Sequence, residues 1–207
     1  MELLLVLSIL SAAIPVATGV AKKKYTLLWL YPLTGFTFDI LNSMLRRVWH
    51  MNNGITANLF IYFEFLLIIF LFRNTVLKQA WIFFSVVTGL STFYIADTIM
   101  NGISVFNMFG GSVFMLVYIF LSVNCLYMIL KSKQFIILEK SSDFWLCTAV
   151  LIYAAGAFLI FLFKQYMVQT DKHSYMNIWR YFFYPVNIIK NVLLALSIYH
   201  MTGKKGH

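Results

Sequence analysis

Apolar residues fall into seven stretches of bilayer length, near 3–20, 25–45, 55–72, 79–99, 105–130, 144–163 and 177–201. About 20 such residues cross a hydrocarbon core of ~30 Å as a helix. A helix suits lipid because it satisfies every backbone donor and acceptor within itself. The pattern therefore predicts an all-α polytopic membrane protein: a compact bundle of seven transmembrane helices forming one domain over residues 1–207, with no soluble domain. The connections are short, so consecutive helices should be antiparallel neighbours. The longest gaps, Lys131–Asp143 and Lys164–Met176, have room for a surface turn or an interfacial segment such as Phe135–Leu138.

Polar residues interrupt these stretches in an ordered way. In the second, Gly35, Asp39, Asn42, Ser43 and Arg46 recur at steps of four, three, one and three, which places them on one helical face. In the seventh, Arg180, Tyr184, Asn187 and Asn191 do the same, and Lys190 lies beside them about midway along the span. A charge at the bilayer centre costs about 2.5–3.5 kcal/mol on insertion scales, so both stripes should face other helices or a water-filled cavity. The acids inside other apolar runs are Asp39, Glu64 and Asp97. At about 1.5 Å rise per residue, Glu64 lies about 14 Å and Lys190 about 20 Å below the outer ends of their spans, both near mid-membrane. Asp39 falls about 9 Å from the outer end of its span, and Asp97, about 3 Å from the boundary, reads as interfacial. The expected pairs are Glu64 with Lys190 and Asp39 with Arg46. The expected intramembrane polar site comprises Asp39, Asn42, Arg46, Glu64, Tyr184, Asn187, Lys190 and Asn191. Its plainer alternative is a buried ion pair that only fixes helix register. Ser85, Thr88, Gly89 and Thr92 in the fourth span, and Ala154–Ala157 in the sixth, read as small residues for close helix packing.

Composition supports the same class, since 61% of residues are hydrophobic and 11% charged, against roughly 25% charged in soluble domains. The net charge of +9 is no nucleic-acid signature, because the basic residues lie mostly in the gaps between spans. One side collects Lys22, Lys23, Lys24, Arg73, Lys78, Lys131, Lys133, Lys140, Lys204 and Lys205; the other collects Arg46, Arg47, Lys164, Lys172 and Arg180. The richer side should be cytoplasmic, which puts the N-terminus outside and the C-terminus inside a bacterial inner membrane. Lys22–Lys24 follow the first apolar run and no basic residue precedes it, the charge order of an anchor rather than of a cleavable signal. Cys125 and Cys147 lack metal-ligand spacing and read as small buried residues. His50 and His200 fall at helix ends, His173 in a loop and His207 in the tail, all positions for solvated imidazoles. No His-box, paired metal-ligand motif or nucleophile–base constellation is present, so no enzyme, metal site or cofactor is expected.

Two resemblances add to this. A lysine halfway down helix seven, an outside N-terminus and seven helices resemble the general layout of the microbial rhodopsins. That resemblance implies retinal on Lys190, Glu64 as counter-ion, and Trp145, Tyr153 and Tyr184 along the pocket. The chain departs from that family in lacking an arginine at the start of span three, a proline in span six, and an acid one turn before Lys190, where Val186 and Asn187 stand. The segments Asn58–Phe65, Phe144–Trp145 with Leu151–Tyr153, and Asn187–Asn191 look like those of small uncharacterised seven-helix bacterial membrane proteins. The functional expectation is a non-enzymatic sensor, or the membrane partner of a signalling protein. A small ligand would enter the polar core from outside, and the basic inner loops would meet lipid or a cytoplasmic partner. The alternatives are a small-solute or proton transporter or channel, and a retinal-binding protein. Oligomeric state is left open.

Overall fold

The structure, a computed structural model, describes residues 3–23, 26–131, 138–170 and 177–201, without the side chains of Arg47, residues 164–170, Trp179 and Arg180. The expected segment Phe135–Leu138 lies outside these residues except for Leu138, which opens a short 3-10 turn, Leu138–Lys140; His173 and His207 also lie outside them. Among the described residues seven α-helices form: α1 (Leu3–Ala21), α2 (Leu27–Arg47), α3 (Gly54–Phe72), α4 (Ala80–Asn101), α5 (Met108–Lys131), α6 (Ser142–Thr170) and α7 (Tyr184–His200). Six of them, counting α7 from Tyr181, are long and apolar enough to cross a membrane. The exception is α2, whose Thr34, Gly35, Thr37, Asp39, Asn42 and Ser43 dilute its apolar character.

Two boundaries depart from the apolar pattern. Helix α6 continues through Lys164 to Thr170, into what the sequence suggests is a loop. Lys, Gln and Met are good helix formers, and a helix need not stop where its apolar run does. The seventh apolar stretch is not one regular helix: a π turn at Trp179–Phe183 precedes α7. Its cause is Pro185, which has no N–H to give the Tyr181 carbonyl and whose ring crowds that group. Widening the preceding turn accommodates it.

The helices close into a ring. The most extensive contacts are α5 with α6, α6 with α7, and α7 with α1; α1–α2 and α2–α3 continue the circuit, and α5 meets α3. Helix α4 lies outside, against α3 and α5. Helices α1 and α7 run parallel, since Asn187 and Asn191 meet Ser8 and Ser11 in chain order, and their contact is polar. Asn187 Nδ2 donates to Ser8 Oγ at 2.9 Å and Asn191 Nδ2 to Ser11 Oγ at 2.8 Å. At one end of the bundle Ser142 and Ser197 clasp α6 to α7, each hydroxyl donating to the other's carbonyl at 2.8 Å. Towards the other end α7 comes close enough to α6 that a Cβ on Gly156 would stand 2.9 Å from Val186, so the small residues of α6 do pack a helix.

The α3–α4–α5 side is held differently. Phe65 stacks on Phe114 at 4.1 Å between ring centroids, Phe114 on Tyr94 at 4.8 Å, and Tyr94 on Tyr62 at 6.1 Å. Asn58 organises the α4–α5 connection: its Nδ2 donates to the carbonyls of Ile103 (3.1 Å) and Val105 (2.8 Å), and its Oδ1 accepts from the Asn107 N–H (2.8 Å). Gly102, at φ 90°, makes the turn out of α4 that an L side chain would oppose. The expected packing role of Ser85, Thr88, Gly89 and Thr92 is corrected here. All four are exposed, and a Cβ on Gly89 would meet nothing within 4 Å. The face of α4 turned to the bundle is the bulky one, with Phe83 and Tyr94 buried. Filling space beside Phe65 and Phe114 requires volume, so the small stripe faces outward.

Candidate functional site

A cavity of about 520 Å³ lies between α1, α2, α3, α6 and α7. Its floor is at Tyr31, Tyr153, Lys190 and Leu194, and it extends to Arg46, Asn53, Phe106 and Phe183 at one end of the bundle. Arg46 both lines the cavity and is exposed, so the space reaches the surface there. The α2 stripe forms one wall, because Tyr31, Gly35, Asp39, Asn42 and Arg46 repeat at nearly helical spacing. Of the residues the sequence singles out, Asp39, Asn42, Arg46, Tyr184, Asn187, Lys190 and Asn191 line the cavity. Glu64 is buried behind its floor.

Lys190 is 7% exposed. Its Nζ sits 4.3 Å from the centroid of the Tyr153 ring and 5.6 Å from that of Tyr31, within range of cation–π attraction. Glu64, 1% exposed, accepts the Tyr31 hydroxyl on Oε1 at 3.1 Å and the Tyr153 hydroxyl on Oε2 at 3.2 Å. The direct Glu64–Lys190 pair expected from their depths is therefore not formed. The same two tyrosines serve both charges, offering hydroxyls to the carboxylate and ring faces to the ammonium. An ionised carboxylate needs donors and an ammonium needs electron-rich neighbours, and one phenol supplies both. Among the described residues, Lys190 has no hydrogen-bond acceptor and no ion-pair partner.

The second expected pair is also absent. Asp39 is half-buried and forms no ion pair with Arg46. Seven residues separate them, about 10 Å along the helix, and Arg46 reaches solvent at the rim instead of folding back. Asp39 thus faces the cavity with no hydrogen-bond donor among the described residues. Asn42 is structural in part, since its Oδ1 accepts from Thr56 Oγ1 at 2.8 Å and Asn53 Nδ2 at 3.4 Å, tying α2 to the start of α3. Asn187 and Asn191 spend their amide N–H groups on α1. Their carbonyl oxygens accept no hydrogen bond from a described residue. The side chain of Arg180, also on the expected stripe, lies outside the described residues.

Other candidates fall away from the cavity. Trp145, which the rhodopsin resemblance places in a pocket, instead donates its indole N–H to the Glu139 carbonyl at 2.8 Å near the opposite end of the bundle. Tyr153 and Tyr184 do line the cavity. Asp97 lies within a turn of the end of α4 and accepts from Asn101 Nδ2 at 2.9 Å. Cys125 and Cys147 are buried free thiols, and no group of metal-binding side chains occurs among the described residues.

Tyr31, Ser8 and Ser11 escape the sequence reading, although the signals exist. Tyr31 extends the α2 stripe by one further step of four, and Ser8 and Ser11 are the hydroxyls of α1 one turn apart. Comparison of the chain with protein-family models, curated proteins and solved structures finds no match, so the case for this site rests on its own geometry.

Proposed function

We propose that this protein is a non-enzymatic, seven-span membrane receptor that takes a small ligand into the cavity floored by Lys190 and signals its presence across the bilayer. The observation that carries this is the Lys190 ammonium, buried, directed into a cavity and without an acceptor among the described residues. An intramembrane ionisable group is expensive, and a site that binds something is the ordinary reason to keep one. Here α2 counts as the seventh span, since its polar stripe turns into the ring and its apolar residues turn outward. The charge bias of the loops supports a bacterial inner membrane, with the Arg46 end of the cavity facing outside and the basic helix ends facing a cytoplasmic or membrane signalling partner.

The test is to extract the small molecules that accompany the purified full-length protein and its Lys190→Met variant. The proposal expects one or more compounds bound stoichiometrically to the parent protein and lost from the variant. An identical set from both would reject it. A second reading, transport of a small solute or of protons, draws on Asp39 and Lys190 being reached in turn from the rim, with Glu64 beneath them. Flux into proteoliposomes separates the two readings, and a coloured pellet after adding retinal would identify a photoreceptor.

A further inference from the structure

We infer that the ligand is a zwitterion with a large apolar body, of the class of aromatic or long-chain aliphatic α-amino acids. The inference rests on the receptor reading and gives its site a substrate class.

Two opposite charges face the cavity without closing on each other. Lys190 on α7 presents N–H donors, and Asp39 on α2 presents a carboxylate. Neither has a hydrogen-bond or ion-pair partner among the described residues. Glu64 does not reach the cavity, since it lies behind Tyr31 and Tyr153, whose hydroxyls its two oxygens accept. A ligand carboxylate complements Lys190 through charge-assisted hydrogen bonds, and a ligand ammonium complements Asp39. Asn187 and Asn191 also line the cavity, and with their amide N–H groups donated to α1 their side-chain carbonyls remain as further acceptors for ammonium protons.

The same two charges exclude simpler ligands. A plain carboxylic acid could meet Lys190 only by bringing a second anion beside Asp39. A plain amine could meet Asp39 only by bringing a second cation beside Lys190. Like-charge juxtaposition in a partly desolvated site is a strong discriminator. The wall towards the rim sets the rest of the molecule, because Phe60, Ile61, Phe106, Phe161 and Phe183 enclose it. A volume of about 520 Å³ lies within the usual range for small-molecule pockets. It accommodates an aromatic amino acid together with water.

The experiment is equilibrium binding to the full-length protein in nanodiscs, with three probes of one shape: L-phenylalanine, 3-phenylpropanoate, which lacks the ammonium, and 2-phenylethylamine, which lacks the carboxylate. L-Phenylalanine should bind at least about 10-fold more tightly than either analogue, since a site with buried polar groups rejects ligands that leave them unpaired. Lys190→Met should weaken L-phenylalanine while sparing 2-phenylethylamine, and Asp39→Asn should raise 3-phenylpropanoate to the level of the amino acid. Helical circular dichroism checks that the variants fold, and the three-probe comparison on the unaltered protein decides the matter if either does not. Binding of 3-phenylpropanoate as tight as that of L-phenylalanine, or no binding of any probe at millimolar concentration, overturns the zwitterion. Neither result removes the receptor reading, which falls only if Lys190→Met also leaves the accompanying small molecules unchanged.

Discussion

The two halves of this bundle solve the problem of a dry interior in opposite ways. On the α3–α4–α5 side the interior is a stack of rings, Tyr62, Tyr94, Phe114 and Phe65, and the buried Asn58 uses its side-chain amide and carbonyl on the neighbouring loop. On the α1–α2–α7 side the interior is a cavity with polar walls, where Lys190 and Asp39 have no hydrogen-bond or ion-pair partner among the described residues. Helices in lipid gain little from burying apolar surface against one another, so the first half is the ordinary outcome of packing. The second half leaves polar groups exposed to a cavity, and stability alone does not account for it. Function is therefore sought there.

Substitutions should separate the halves by mechanism as well as by size. The largest losses should come from the floor of the cavity. Removing either Glu64 or Lys190 leaves the other buried charge with only Tyr31 and Tyr153 for support, and the loss should approach the ~3–5 kcal/mol seen when a buried pair is broken. With Glu64→Gln and Lys190→Met combined, much of that loss should return. The double-mutant cycle, measured by reversible unfolding in mixed micelles, should give a coupling above about 0.5 kcal/mol. Additivity would mean that the two tyrosines insulate the charges and do not link them. Of similar size is Phe114→Ala in the ring stack, expected to cost about 3–5 kcal/mol through cavity formation, with no effect on any ligand. A matching loss of ligand binding would erase the distinction between the halves.

Gly156→Ala should cost about 1–3 kcal/mol by overpacking against Val186, and it should loosen α7, which carries Lys190. Thermal melting reads this directly, and an unchanged melting point would mean that α6 and α7 are not so closely packed. The smallest effect is expected on α4. Thr88→Ala should stay within about 0.5 kcal/mol, as surface substitutions do. A loss of several kcal/mol would restore the packing role that the sequence suggests for this stripe.

That last case shows where sequence reasoning reaches its limit. A run of Ser, Thr and Gly at helical spacing marks a face, but not whether the face meets a helix or lipid. On α4 the bulky residues were needed against Phe65 and Phe114, and the small ones were left outside. Charged residues are more legible because lipid allows them so few positions, and Asp39 and Lys190 could be placed inside the ring from cost alone. Their partners could not be read in the same way. Depth along a helix is a single coordinate, and it brought Glu64 and Lys190 to one level without revealing Tyr31 and Tyr153 between them. The π turn before Pro185 was similarly hidden, since apolar periodicity carries no mark of a widened turn.

Cysteine accessibility decides whether Lys190 and its neighbours face a cavity reached from the Arg46 end. In a Cys125→Ala, Cys147→Ala background, Asn187→Cys on the cavity wall is compared with Ile189→Cys, whose parent side chain is 46% exposed on the outer surface of α7. A charged, membrane-impermeant thiol reagent added outside intact cells should modify Cys at 187 and leave 189 untouched, because thiols react as thiolates and these persist in water but not in lipid. Modification of 189 alone, or of neither position, would contradict an open polar cavity.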